Sequence, residues 1–275
     1  VTRFARTARP VEPGLLSHAL EVAGRLANEA TDVITATAGR GGLAAGDSSP
    51  FDWVTDADRT LERHTRRVLT KEFPGMPVSG GSAELGGPVT DGDFRWVVDP
   101  VDGTVNCVAG IPWCAYSLAL MDADGPVVGV VADPYREQIY AAARGRGARA
   151  NGEPVTLPDR VELAGAILCT EFTDGGSWPG MAGFVGAAVA ARAGVRVLGS
   201  AALAVAGVAL GYAAATVLPS YREADVAGGL ALAVEAGATV SDLRGGHPED
   251  PRDGLLVAAP GVAAPVLDWW RHCAG

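Results

Sequence analysis

Residues 96–106 read WVVDPVDGTVN, placing two aspartates three positions apart directly after an apolar run, with Gly103, Thr104 and Asn106 following at once. The run at residues 95–98 has the composition of a buried strand, and Pro100 predicts the end of its ladder and blocks an immediate helix. Asp99 and Asp102 are thereby thrown out at a strand's carboxyl end. Hard divalent cations such as Mg²⁺ take carboxylate and carbonyl oxygens at about 2.0–2.1 Å, and two carboxylates flanking a tight turn can share or bridge such ions. The Val101 carbonyl can join them. Gly103 lets the backbone approach closely, and the amides of Gly103 and Thr104 can open a helix whose positive end accepts a phosphate. The bland alternative, a strand followed by an Asp-Pro turn with Asx capping, accounts for less of so dense a string.

The remaining composition bounds what such a site can serve. A chain of 275 residues with 48% hydrophobic content can bury a large core, as one domain or two tightly joined lobes. A net charge of −10 without a Lys/Arg cluster argues against a nucleic-acid backbone as the main partner. The first dozen residues carry Arg3, Arg6, Arg9 and Pro10 with no apolar core, and no stretch of about 18 uninterrupted apolar residues follows. The expectation is a soluble, cytoplasmic protein that does not engage membranes. Cys107, Cys114, Cys169 and Cys273 lack CxxC spacing and read as buried or incidental thiols. His18, His64, His247 and His272 are scattered and read as surface or helix-face residues.

Along the chain, residues 15–36 show helical periodicity, and the glycine- and serine-rich residues 39–50 read as a flexible loop. Thr55 followed by Asp58 predicts a capping box on a helix running to about Phe73. Apolar runs broken by turns at residues 122–126 and 133–136 predict an antiparallel meander over residues 115–143. After about Pro158 strands and helices alternate: strands at residues 166–170, 195–198, 215–218 and 255–258, helices at 181–192, 201–212 and 226–236. This predicts an N-terminal α+β lobe over residues 1–157 carrying the metal motifs, and a C-terminal α/β lobe over 158–275.

The string at residues 96–106 resembles the signature of the inositol monophosphatase family, Mg²⁺-dependent and lithium-sensitive phosphatases with the pattern WxxDPxDGTxN followed by an apolar stretch. Residues 52–58 (DWVTDAD) and 224–228 (ADVAG) match further family segments in the right order, so the resemblance covers nearly the whole chain. It implies a layered αβαβα fold with the active site between the lobes, and a homodimer. It also implies two or more Mg²⁺ ions. Asp99 bridges two of them, Asp102 and Asp225 bind the second, and the Val101 carbonyl helps bind the first. Asp58 and Thr104 orient the attacking water, Gly103 and Thr104 amides hold a phosphate oxygen, and the turn Gly199-Ser200-Ala201 touches the alcohol portion of the substrate. Read singly, Asp58, Ser200 and Asp225 are ordinary helix-cap residues.

Two departures from the pattern stand out. The family's Gly-Glu-Glu segment, whose first glutamate binds metal, aligns with Gly80-Gly81-Ser82, so Gly81 has no ligand to give. Glu84, three residues on, is the candidate replacement. The tryptophan before the downstream aspartate is Ala224, and the position that often accepts a sugar hydroxyl falls near Leu218, with Arg222 or Glu223 as candidate substitutes. The expected activity is hydrolysis of a small phosphate monoester, such as an inositol, other cyclitol or sugar phosphate. Histidinol phosphate and nucleotide 3′-phosphates are the next candidates. The Gly81 departure motivates a different class, a degenerate member that binds a phosphorylated metabolite without turning it over.

Overall fold

The computed structural model describes residues 9–40, 42, 44–45, 53–80, 94–158, 162–173, 176–245 and 254–274. Helix α1 (Pro13–Thr37) opens with proline in its first turn, and Glu12 accepts the Leu15 amide hydrogen at 2.7 Å. Its apolar stripe from Leu16 to Ile34 is buried. The region expected to be plain loop carries a two-residue strand, β1 (Ala44–Ala45), paired with β2 (Trp53–Val54); residues 46–52 lie outside the described set. Helix α2 (Asp56–Glu72) starts on the predicted capping box: Thr55 Oγ1 accepts from the Asp58 amide and Asp58 accepts from the Thr55 amide.

The first sheet runs β3 (Val78–Gly80), β4 (Arg95–Asp102), then, after the short helix α3 (Thr104–Ala109), β5 (Ala115–Asp122), β6 (Gly125–Asp133), β7 (Gln138–Ala143), β8 (Gly147–Ala150) and β9 (Glu153–Val155). Its seven strands lie side by side in that order, and only β3 and β4 are parallel. The predicted meander is therefore present. Pro100 does not end its strand, contrary to expectation. The register against β5 slips between Asp99 and Asp102, so Pro100 sits at an irregularity of the ladder where a missing donor is tolerated.

The second half contributes β10 (Ile167–Thr170), α4 (Met181–Ala190), β11 (Gly194–Arg196), α5 (Ala201–Ala209), β12 (Ala215–Leu218), α6 (Glu223–Glu235), β13 (Thr239–Ser241), β14 (Leu255–Ala258) and α7 (Pro260–Ala274). The five strands order as β11-β10-β12-β14-β13, parallel in the first three and antiparallel at β14 and β13. Neither β13 nor α7 is foreseen by the sequence reading. Pro260 suits the first position of α7, whereas Pro265 lies inside the helix, and the buried face of Val262, Val266 and Trp270 outweighs it.

Helices α1 and α2 cover one face of the first sheet, α5 and α6 fill the space between the sheets, and α4 and α7 cover the far face of the second. This is the expected αβαβα layering. Cys107, Cys114 and Cys169 are buried free thiols. No helix among the described residues is long and apolar enough to cross a membrane.

Helix α6 sits against the first sheet through glycine. A Cβ on Gly129 would lie 2.4 Å from the Ala231 Cβ and 2.6 Å from the Gly228 carbonyl oxygen, and one on Gly228 would lie 2.7 Å from Ser117 Oγ. Gly129→Ala is therefore expected to destabilise the protein by about 1–3 kcal/mol through overpacking. Urea unfolding reads this as a lower midpoint; an unmoved midpoint would contradict the close seating.

Candidate metal and phosphate site

Asp99, Asp102 and Asp225 each present an oxygen within 4.8 Å of the others. Asp99 and Asp102 sit at the bulged end of β4 and are 6% and 7% exposed, while Asp225 is in the first turn of α6. The cluster lines a cleft of about 640 Å³ shared by both halves of the chain, together with Val101, Gly103, Thr104, Gly199 and Ala201. Three carboxylates and a carbonyl from Val101 make a hard-oxygen donor set of the kind Mg²⁺ takes. The residues fit such an ion.

The electrostatics agree. Burial, then the charges of Asp225 and Asp102, hold the Asp99 carboxyl well above the ordinary range. Asp102 is pushed up to about 7 by burial and by Asp225, against the hydrogen bonds from Ser200 and the Ala202 amide. So crowded a set of carboxylates calls for a proton or a cation.

Asp58 lies behind the cluster. It accepts from the Thr55 amide at 2.8 Å and from the Thr55 hydroxyl, and burial raises its pKa. The Thr104 hydroxyl is 3.2 Å from Asp58 Oδ1 and 2.8 Å from the Val101 carbonyl oxygen, one proton facing two acceptors. The first turn of α3 carries no side-chain cap, and Gly103 before it has φ +84°. Glycine is required there, since a Cβ would lie 2.9 Å from the Gly199 carbonyl oxygen and 3.0 Å from that of Trp113.

The turn at residues 199–201 joins the two halves. Ser200 caps α5 by accepting from the Leu203 amide at 3.3 Å, and its hydroxyl donates to Asp102 Oδ2, which also accepts from the Ala202 amide at 2.9 Å. Cap and site roles thus coexist. Asn106 donates to the Leu198 carbonyl at 2.6 Å and to the Trp113 carbonyl at 2.9 Å.

Several residues were missed by sequence reasoning. Glu171, just past β10, accepts from the Gly199 amide at 2.8 Å and the Leu198 amide at 3.4 Å, and burial pushes it up to about 7. Its signal was weak, a lone acid at the carboxyl end of an apolar strand. Trp53 and Phe172 also border the cleft. Of the two substitutes considered for a sugar-hydroxyl acceptor, Arg222 lines the cleft and reaches Asp225 at 3.2 Å. Glu223 instead makes a two-pronged ion pair with Arg95, at 2.6 and 2.5 Å, away from the cleft lining. Gly81 and Glu84 lie outside the described residues, as does His247.

Comparison with known proteins follows the same pattern. The sequence pattern of the inositol monophosphatase family matches residues 15–271. The protein named Nus factor SuhB in Pasteurella multocida is 32% identical over 258 residues, spanning 92% of this chain and 96% of that one. Its Escherichia coli K12 namesake is 33% identical over 228 residues, 82% of this chain and 85% of that one. In three dimensions, Thermotoga maritima IMPase superposes with a TM-score of 0.84 at 26% identity, covering 93% of this chain and 97% of that one. Mycobacterium tuberculosis SuhB gives 0.71 at 29% identity, covering 94% and 98%. The chain belongs to the inositol monophosphatase family.

Proposed function

We propose that this protein hydrolyses small phosphate monoesters, with Mg²⁺ held by Asp99, Asp102, Asp225 and the Val101 carbonyl. The observation that carries the reading is the convergence of the three aspartates, from β4 and from α6, beside the uncapped first turn of α3. Bound there, Mg²⁺ supplies charge neutralisation at the phosphate and lowers the pKa of water. Water attacks phosphorus, the bond from phosphorus to the alcohol oxygen breaks, and the departing alkoxide takes a proton. Thr104, with its own proton facing Asp58 and Val101, accepts a hydrogen bond from the attacking water and orients it. Asp58 takes up the proton through that hydroxyl. Amides of Gly103 and Thr104 hold a phosphate oxygen. Gly199 and Ala201 offer their backbone to the alcohol. Ser200, buried at 1%, acts through Asp102.

Cyclitol and sugar phosphates are the first substrates in this reading, with histidinol phosphate and nucleotide 3′-phosphates next. Glu84 remains the proposed replacement for the ligand lost at Gly81. A homodimer in the cytoplasm carries over from the family resemblance. A second reading, a member that binds a phosphorylated metabolite or a partner without turnover, is favoured by Gly81 itself, and its partner form by relatives that bear the name Nus factor SuhB.

Phosphate release from a panel of monoesters at varied Mg²⁺ separates the two. Turnover that needs Mg²⁺ and drops by roughly 100-fold or more in Asp225→Asn is expected. Binding of esters without turnover at any Mg²⁺ concentration would favour the second reading.

The crowded carboxylates also set a pH dependence. Without divalent metal, folded Asp102 keeps its proton up to about pH 7, whereas its ordinary value is 3.8. Between these limits the folded state binds more protons, so this contribution to stability is full below the ordinary value and is lost as pH rises through about 7. Metal-free Asp102→Asn is thus expected to unfold at a higher temperature than wild type at pH 7.5, with the gap narrowing steadily as the pH falls toward the ordinary value of 3.8. Addition of Mg²⁺ at pH 7.5 should reverse the order. A gap independent of pH would contradict the crowding.

A further inference from the structure

The cleft has polar ground at its metal end and bare apolar surface at its walls. Among the described residues, six large hydrophobics are exposed: Trp53, Val105, Ile111, Phe172, Val189 and Tyr212. Three of these six, Trp53 at 37%, Val105 at 49% and Phe172 at 62%, border this one cleft. Exposed apolar surface gathered beside a polar anchor is a signature of ligand recognition.

Several polar side chains along the same walls already bond to the protein. Both oxygens of Glu171 accept backbone amides, from Leu198 and Gly199. Thr173 donates its hydroxyl to the Gly176 carbonyl at 3.2 Å, and the Asn106 amide hydrogens go to Leu198 and Trp113. Leu218, at the position where an acceptor for a polyol hydroxyl is expected, is buried at 1% and is not part of the wall. Glu223 is tied to Arg95. Ser220 and Tyr221 line the wall beside Arg222. A polyol moved from water into this cleft would meet exposed apolar surface over much of its length and recover only part of its hydrogen bonding. A flat ring would gain aromatic faces to stack on and a guanidinium nearby.

We infer that the cleft selects phosphate esters whose alcohol portion carries a flat aromatic ring, with Phe172, Trp53 and Val105 as the residues that hold the ring. This rests on the phosphatase reading above and reorders its substrates, placing ring-bearing esters ahead of cyclitol and sugar phosphates. The phosphate end is fixed at α3 and the three aspartates, and a cleft of about 640 Å³ leaves room beyond it for a ring.

The test compares kcat/KM for 2-phenylethyl phosphate and glycerol 1-phosphate under saturating Mg²⁺. Both release a primary alkoxide, so the difference reports on the walls and not on the leaving group. The expected preference for the phenylethyl ester is about tenfold or more, and Phe172→Ala or Trp53→Ala should reduce that ratio by roughly tenfold. Phe172→Trp should restore it. Equal or faster turnover of glycerol 1-phosphate, or a ratio that neither alanine variant moves, overturns this inference and leaves the phosphatase reading standing. Alanine variants that alter the mass in sedimentation while the ratio stays fixed would assign the apolar rim to a second copy of the chain, and also overturn it. No turnover of either ester overturns the phosphatase reading and this inference with it.

Discussion

Holding Asp99, Asp102 and Asp225 within reach of one cation is the constraint to which the surrounding structure answers. Like charges at this spacing against a low-dielectric wall raise one another's proton affinity, and burial adds to the effect. The fold opposes only part of that. Ser200 and the Ala202 amide support ionised Asp102, the Val101 amide lies 3.2 Å from Asp99 Oδ1, and Arg222 reaches Asp225. Both bonds to Asp102 fall on Oδ2, so its second oxygen keeps its capacity for a cation. The protein alone leaves the cluster under-compensated, so it calls for a proton or a cation.

Two seams set the distances. At the first, the turn at residues 198–200 gives its amides to Glu171 at the end of β10 and its Leu198 carbonyl to Asn106 in α3. Gly103 packs beneath it too closely for any side chain. The second seam is the contact of α6 with the first sheet. Ser117 on β5 is the register partner of Asp99, and Gly228 packs directly over Ser117. Asp225 lies one helical turn before Gly228, and in a helix residues three apart share a face. Seating Gly228 on Ser117 therefore delivers Asp225 to Asp99. A small residue well away from the chemistry fixes how close two charges come.

Much of this was legible in the sequence, because the signals are local. The capping box at Thr55 and Asp58, the meander over residues 115–143 and the Asp99/Asp102 turn each depend on a few neighbouring residues. Asp225 was legible only through its match to a family segment, since alone it reads as a helix-capping acid. What failed were inferences in which tertiary contact overrides a local rule. Pro100 continues its strand at a slip in the register against β5, and α7 runs through Pro265 because its buried face outweighs the lost donor. Glu171 was missed for the opposite reason, since its partners lie on a turn distant in sequence. Trp53 and Phe172 look like core residues in any composition count. Only their exposure at the cleft separates them from core.

The site divides its labour along the length of the cleft. Its floor is made by the side chains that gather negative charge: two acids on β4 and one on α6, flanked by a glycine with no room for a Cβ. Its walls come from different segments, the strand end at Phe172 and the loop at residues 220–222, whose side chains support no metal apart from the Arg222 contact with Asp225. Substitution at the walls can therefore alter what lies beside the acidic floor without disturbing the floor itself. Phe172 stands open at that wall, whereas Leu218 is buried outside it, so of these two only the former can meet whatever lies beyond the floor.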